Sequence, residues 1–244
     1  MNSVLDVPTL QVNVARKVFP AVAGRAANHV LDAIAFDVEA GSFVAITGPS
    51  GGGKSTLLNI IAGLDRAFDG DIRFFDPNLN VAFVFQSPRL LPWRTVRENI
   101  ALVLPPNDPR HANIDELLGR VGLADAAHAY PEMISLGMQR RAALARAFIL
   151  EPDILLMDEP FVSLDDPTAQ GLRQLLMELW SRRPTTVLFV THDRQEAVML
   201  ASRVICLAGT PASVVQDEAV ALEIGERVDR DKVRAEQNRI FGVV

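Results

Sequence analysis

Apolar residues follow two patterns along the chain, and each pattern predicts a different kind of strand. Over 10–14 and again over 34–38 they alternate with polar residues, which is typical of strands with one exposed face. Elsewhere they are contiguous, in runs at 43–46, 81–85, 154–157, 187–190 and 204–207. Contiguous runs indicate strands buried on both faces, as in a parallel sheet covered by helices. We therefore predict an α/β fold with a mostly parallel central sheet and an antiparallel β edge layer.

Apolar residues at helical spacing lie between these runs. They occupy 57–64, directly after the first run, and a second helical pattern opens at Pro167, where proline suits the first turn of a helix. Roughly 70 residues with helical spacing and no strand pattern separate the second run from the third, which is long for a plain connection. We predict a single domain over 1–244, with an inserted helical subdomain at 87–150 and a C-terminal extension at 208–244.

Composition and charge narrow the range of partners. The chain is 49% apolar and 22% charged, with a net charge of -6 and no long run of Lys or Arg, so we expect no nucleic-acid partner. Residues 1–20 lack the features of a secretory signal, and charged residues interrupt the most apolar stretch, 142–157. We therefore expect a cytosolic protein that reaches a membrane through a partner. The single cysteine, Cys206, lies within an apolar run and is interpreted as a buried small side chain.

A glycine-rich segment carries the strongest chemical signal. Residues 48–55 match the phosphate-loop pattern G-x-x-x-x-G-K-[ST] and lie between a predicted strand and a predicted helix. In such a loop main-chain amides surround phosphates, Lys54 meets the terminal phosphates, and the Ser55 hydroxyl binds Mg²⁺. The alternative, a glycine-rich turn without a ligand, stays open at this point. The residues expected to bind the nucleotide here are Gly48, Ser50, Gly51, Gly52, Gly53, Lys54, Ser55 and Thr56.

Other polar residues follow predicted strands, at the ends where parallel sheets bind ligands. Asp158 and Glu159 end one strand, Gln86 follows another, and His192 follows a third. Asp158 is suited to hold Mg²⁺, and Glu159 to polarise a water that attacks the γ-phosphate. Taken singly, each residue has a plainer interpretation as a solvated turn, an edge residue or a structural histidine. Together they predict a phosphate and metal site at one edge of the sheet.

The order of these segments resembles that of ABC transporter ATPase subunits, over roughly residues 10–207. The family's motifs are, in order, Walker A, the Q-loop, the signature, Walker B, the D-loop and the switch histidine. The matching segments here are 48–56, Gln86, 135–139, 158–160, 163–165 and His192. The resemblance implies a P-loop NTPase fold and two subunits that clamp two ATP molecules. Each ATP then lies between the Walker A loop of one subunit and the signature of the other.

The resemblance also implies roles for individual residues. The set implied in hydrolysis is Lys54, Glu159 and His192, and the set implied at Mg²⁺ is Ser55, Gln86 and Asp158. Gln86 and Asp158 are therefore expected near the nucleotide as well, where Phe19 stacks on adenine and Ser135 and Gly137 of the signature contact the partner's ATP. Two alternatives remain: Phe19 as a core residue, and Ser135 as an ordinary helix cap.

The signature departs from the family's usual L-S-G-G-Q. Ile134 stands first, Leu136 replaces the first glycine, and Met138 stands where Gln is frequent. Because leucine enters positive φ less readily than glycine, we expect an altered approach to the phosphate and slow hydrolysis. A non-catalytic regulatory subunit that binds nucleotide therefore remains the alternative to an ATPase.

The stretch 87–99 resembles the nitrate, sulfonate and taurine importer branch of the family, which implies import of small anions or organic solutes. Export or lipid trafficking stays an alternative. Trp93 is expected either to line a groove for a helix of the membrane subunit or to lie in the core of the helical lobe. The implied partners are transmembrane permease subunits, a second copy of this ATPase subunit and, indirectly, a solute-binding protein. The implied location is peripheral, on the cytoplasmic side of the inner (cell) membrane.

Overall fold

The structure is a computed structural model that describes residues 8–21, 26–183 and 185–242. Its strands are β1 (Pro8–Phe19), β2 (Asn28–Glu39), β3 (Phe43–Thr47), β4 (Asp69–Phe74), β5 (Val81–Val84), β6 (Ile154–Asp158), β7 (Thr186–Thr191), β8 (Arg203–Gly209) and β9 (Ala212–Ala219). Its α-helices are α1 (Lys54–Ile61), α2 (Val96–Ala101), α3 (Ile114–Arg120), α4 (Leu136–Phe148), α5 (Asp166–Arg182), α6 (Arg194–Leu200) and α7 (Arg230–Phe241). The described residues form two units: the first unit ends at Leu79 and resumes at Thr186, and the second unit is Asn80–Thr185.

The first unit contains a mixed sheet in the order β4-β1-β2-β9-β8-β3-β7. Strand β1 pairs antiparallel with β2 and β4, whereas β3 pairs parallel with both β7 and β8. Burial follows the predicted patterns, because β3 and β7 are buried along their whole length and the second half of β2 alternates. The parallel strands and the antiparallel edge layer therefore lie where the sequence predicts them.

The second unit combines one parallel strand pair, β5 and β6, with helices α2 to α5. The helices α2, α3 and α4 occupy the region predicted as an inserted helical subdomain. One face of α5 is buried through Leu172, Leu175, Leu176 and Leu179, at the spacing of an amphipathic helix. In the described part of the chain, no helix has both the length and the apolar character needed to cross a membrane.

The C-terminal region predicted as an extension, 208–244, contributes to the sheet. Strand β9 pairs antiparallel with β8 and reaches β2 through the pair Leu31 and Ala212. Helix α7 packs on α6 and buries Val233 and Ile240. Cys206 on β8 is buried, as predicted, and this burial raises the pKa of its thiol.

Candidate nucleotide-binding site

Two glycines of the phosphate loop are required by the packing around them. At Gly48 a Cβ atom would lie 2.4 Å from the carbonyl oxygen of Leu207 on β8, and the backbone has φ +152°. At Gly53, the N-cap of α1, φ is +81° and a Cβ would lie 2.6 Å from Cδ2 of Leu31. A larger residue at position 48 therefore has to displace the backbone of β8, and one at position 53 has to adopt a strained positive φ and displace the Leu31 side chain.

Lys54 is held inside the phosphate loop. The residue is 4% exposed, and its Nζ donates hydrogen bonds to the carbonyl oxygens of Gly48 at 2.9 Å and Pro49 at 2.8 Å. The loop around it is more accessible: Ser50 and Gly51 are exposed, and Ser55 is half-buried. This arrangement places a positive charge beneath accessible backbone at the start of α1, as anion binding requires.

His192 follows β7 next to the phosphate loop in the same sheet. Thr47, the last residue of β3, pairs with Thr191, the last residue of β7, so Gly48 and His192 leave neighbouring strands at the same edge. The Thr191 hydroxyl donates to Glu196 at 2.8 Å and accepts from the Asp193 amide at 3.0 Å. Sequence reasoning missed Thr191, since threonine is an ordinary strand residue. Its hydroxyl fixes the turn that carries the exposed His192.

In the second unit, Gln86 lies next to Glu159. Val84 on β5 pairs with Met157 on β6, so Gln86 and Glu159 each stand two residues beyond paired strand positions. The Gln86 amide Nε2 lies 3.4 Å from Oε2 of Glu159, and Asp158 and Glu159 are both half-buried. Gln86 and Glu159, two of the strand-end residues predicted to converge, therefore lie next to each other in this unit.

The signature opens α4 through its serine. Ser135 is the N-cap, and its Oγ accepts a hydrogen bond from the Met138 amide at 3.2 Å. The helix α4 spans Leu136–Phe148, and the Ser135 cap fixes its start directly after the signature serine. Gly137 permits close packing with α5, since a Cβ there would lie 2.6 Å from Cγ2 of Thr168.

The expected backbone effect of Leu136 is wrong. Leu136 is the first residue of α4 and does not have a positive φ, so leucine fits the backbone without strain. Its side chain is 40% exposed. Any effect of this residue therefore comes from the side chain that it presents at the surface, beside Ser135.

Phe19 and Trp93 are both exposed, so the core alternatives for these two aromatic residues are wrong. Phe19 is 42% exposed at the end of β1, and the Nζ of buried Lys17 lies 4.6 Å from its ring centroid. Trp93 is 68% exposed. The segment around Trp93 is supported by the buried Asn99 amide, which donates to the carbonyl oxygens of Leu91 and Arg94 at 3.1 and 3.0 Å. A fixed segment therefore carries an exposed indole.

The residues predicted to bind Mg²⁺ carry oxygen groups of different kinds. Among the described residues, no cluster of three or more His, Cys, Asp or Glu side chains forms a metal site. The predicted Mg²⁺ ligands are instead the Ser55 hydroxyl, the Gln86 amide and the Asp158 carboxylate. Mg²⁺ prefers oxygen ligands and usually takes few carboxylates beside substrate phosphates, so this donor set suits it.

Comparison with known proteins relates these features to a family. The ABC transporter family model matches residues 31–162. The aliphatic sulfonates import ATP-binding protein SsuB 1 of Streptomyces avermitilis is 46% identical over 203 residues, which cover 83% of this chain and 74% of that protein. SsuB of Bacillus subtilis is 42% identical over 77% of this chain and 76% of that protein. SsuB 2 of Burkholderia cenocepacia is 38% identical over 91% of this chain and 82% of that protein.

Solved structures give the same result. The dimeric, post-hydrolysis structure of the ATP-binding cassette MJ0796, bound to ADP and Pi, matches with a TM-score of 0.75 and 30% identity. The match covers 88% of this chain and 100% of that one. The P-loop NTPase fold predicted from the sequence is thereby confirmed, as is nucleotide binding. This chain belongs to the ABC transporter family, as an ATP-binding subunit that hydrolyses ATP.

Proposed function

We propose that the chain hydrolyses Mg-ATP with Glu159 as general base, and that this reaction drives import of small organic anions. The observation that carries the proposal is the phosphate loop, in which the buried Lys54 amino group lies under accessible backbone. Lys54 meets the β- and γ-phosphates, and the amides of 50–56 bind their oxygens. Phe19 stacks on adenine, and its exposed ring supports this role.

Ser55, Gln86 and Asp158 hold Mg²⁺ in the proposal. Held by these residues, the cation would supply positive charge that offsets the charge developing on the phosphates during transfer. The protein's part is to supply three neutral or anionic oxygen donors, and the chemistry of hydroxyl, amide and carboxylate supports that assignment. Gln86 also lies within 3.4 Å of Glu159, so one side chain contributes to both metal binding and the position of the base.

Glu159 accepts a proton from the attacking water, while His192 contacts the γ-phosphate. A carboxylate can act as this general base, and a positioned general base contributes about 10²–10⁴-fold to a rate. The Thr191 hydroxyl supports the proposed role of His192, since it fixes the turn on which the imidazole stands.

A second copy of the chain completes each site in the proposal. The Ser135 hydroxyl and the amides at the start of α4 approach the partner's γ-phosphate, where a helix N-terminus stabilises an anion. The dimeric form of the related cassette structure supports this arrangement. Permease subunits bind the surface that carries Trp93, and a solute-binding protein delivers the substrate. The chain is then peripheral, on the cytoplasmic side of the cell membrane.

Substitution of Glu159 by Gln tests the catalytic part of the proposal. The variant keeps the shape of the side chain but loses the base, so ATP binding persists while phosphate release falls by about 100-fold or more. Mg-ATP then links two copies, and size-exclusion chromatography detects a dimer that dissociates when ATP is removed. Glu132→Gln, at an exposed position of the same unit, serves as the matched control. If Glu159→Gln hydrolysed ATP at the wild-type rate, Glu159 would not be the general base.

Growth on a defined sulfur source tests the transported substrate. The SsuB relatives are named as aliphatic sulfonate importers, so a strain without this chain is expected to lose growth on an alkanesulfonate as sole sulfur source. Growth on sulfate is the control and is expected to continue. Unchanged growth on the sulfonate would contradict the proposed substrate class but leave the ATPase assignment intact.

A further inference from the structure

Helix α4 carries two arginines that bind main-chain carbonyls in the same way. Arg140 donates from Nη1 to the Pro160 oxygen at 2.8 Å and from Nη2 to the Val162 oxygen at 2.7 Å. Arg146 donates from its two Nη atoms to the oxygens of Arg89 and Pro88, both at 2.8 Å. Each guanidinium therefore bridges two carbonyls of a segment that follows a proposed site residue, which is Glu159 in the first case and Gln86 in the second.

The segment that Arg140 holds has an unfavourable backbone. Glu159 has φ +42° and Ser163 has φ +62°, although neither is glycine and a Cβ disfavours this region. Glu159 also precedes Pro160, and a following proline further restricts the backbone toward extended conformations. Surrounding contacts must maintain such a conformation. The two Arg140 hydrogen bonds fall on the carbonyls between these two residues.

The guanidinium of Arg140 suits two carbonyl acceptors, and its burial costs free energy unless hydrogen bonds compensate for the lost water. Arg140 is 7% exposed, and burial lowers the pKa of its guanidinium. Within the described part of the chain, no hydrogen-bond acceptor reaches its buried Nε. A planar fork of donors spans two acceptors at fixed spacing, which a lysine ammonium does not. The Arg140 guanidinium is therefore partly desolvated, and its hydrogen bonds go to the main chain directly after Glu159.

We propose that Arg140 is a positioning residue for ATP hydrolysis: by fixing the carbonyls of Pro160 and Val162, it aims the Glu159 carboxylate at the attacking water. The inference rests on the proposed role of Glu159. It adds that the signature helix controls the base of its own chain, because Arg140 lies five residues after Ser135 on the same helix. A rotation or shift of α4 then changes the orientation of Glu159 directly.

Arg140→Lys separates positioning from folding and binding. The variant keeps the charge but loses the fork, so kcat for phosphate release is expected to fall by about 10- to 100-fold, the size of effect that a small misplacement produces. The Kd for Mg-ATP is expected to stay within about threefold, since Lys54 and the phosphate loop are unchanged. Thermal denaturation shows whether Arg140→Lys is folded. If Arg140→Lys does not fold, Arg140→Gln takes its place in every assay.

The decisive measurement places Arg140→Lys in the Glu159→Gln background. If Arg140 acts through Glu159, the residual rate of Glu159→Gln does not fall further when Arg140→Lys is added. Arg141→Lys is the matched control, because Arg141 lies on the same helix but donates to the Val121 carbonyl oxygen at 3.2 Å, and it is expected to change the rate by the same small factor in both backgrounds. An unchanged kcat for Arg140→Lys, or the same loss in both backgrounds, would overturn the inference. Full activity of Glu159→Gln alone would instead overturn the proposed function.

Discussion

Alanine at position 137 tests the close packing of α4 on α5. The ideal Cβ would lie 2.6 Å from Cγ2 of Thr168, whereas ordinary contacts begin at 3.4 Å, and threonine has little freedom at χ1 to yield. Overpacking of this kind costs about 1–3 kcal/mol, and the helix preference of alanine over glycine offsets about 1 kcal/mol. We therefore expect Gly137→Ala to lower the free energy of unfolding by about 1 kcal/mol.

The matched control and the rescue are both available in the chain. Gly119 lies in α3, and a Cβ there meets nothing within 4 Å, so Gly119→Ala is expected to stabilise by about 0.5–1 kcal/mol. Thr168→Ser deletes the Cγ2 that the added methyl group of Gly137→Ala would touch, and it keeps the hydroxyl. Urea denaturation of the single and double variants then gives the coupling between the two sites. Additive effects would refute the packing argument. If the double variant regained the stability lost in Gly137→Ala but not its ATP hydrolysis, Gly137 would have a separate role at the nucleotide.

Four further predictions follow from single positions. Lys54→Ala is expected to abolish ATP hydrolysis and weaken nucleotide binding strongly, and unchanged turnover would contradict the whole site assignment. Trp93→Ala is expected to change the free energy of unfolding by less than about 0.5 kcal/mol, because the indole is exposed, but to weaken pull-down of the permease subunits; a loss of several kcal/mol would contradict this. Lys17→Met is expected to cost about 1–3 kcal/mol at pH 7. Burial raises the pKa of Asp65, but the hydrogen bonds from Lys17 and Ala67 outweigh burial and lower the pKa overall. The stability that the Lys17–Asp65 pair contributes is therefore lost as pH falls below about 4. If urea denaturation gave the same difference between Lys17→Met and the wild type at every pH, the contribution of this pair would be refuted. Leu136→Gly is expected to keep or raise the hydrolysis rate and to cost at most about 1 kcal/mol; loss of activity in the folded variant would assign the leucine a function of its own.

The sequence was sufficient for the buried parallel strands and for the phosphate loop because both are local signals, whereas strands β4 and β9 were not predicted. A buried parallel strand is a contiguous apolar run, and β3, β6, β7 and β8 all coincide with such runs. The phosphate loop is a fixed spacing of glycines between a strand and a helix. Side-chain exposure at the ends of elements is not local, which explains why two interpretations of Phe19 and of Trp93 remained open before the structure.

The residues that support the site were not predictable for a related reason. Arg140, Lys17 and Thr191 bind groups that are distant in sequence or that belong to an irregular turn. Nothing in the spacing of an arginine on a helix indicates that it binds the carbonyls 20 and 22 residues later. Such contacts depend on how α4 packs on the segment after β6, which tertiary structure alone determines.

The two neighbouring positions of the signature show how the structure separates roles that a sequence pattern treats alike. The family pattern has glycine at both, yet the reasons differ. At Gly137 the neighbouring Thr168 leaves little room for a side chain, so the packing of a single chain favours glycine. At Leu136 the backbone is helical and the side chain is exposed, so the fold accepts leucine. A requirement for glycine at 136 therefore has to come from whatever binds that surface, and in the proposed dimer this is the ATP of the partner subunit.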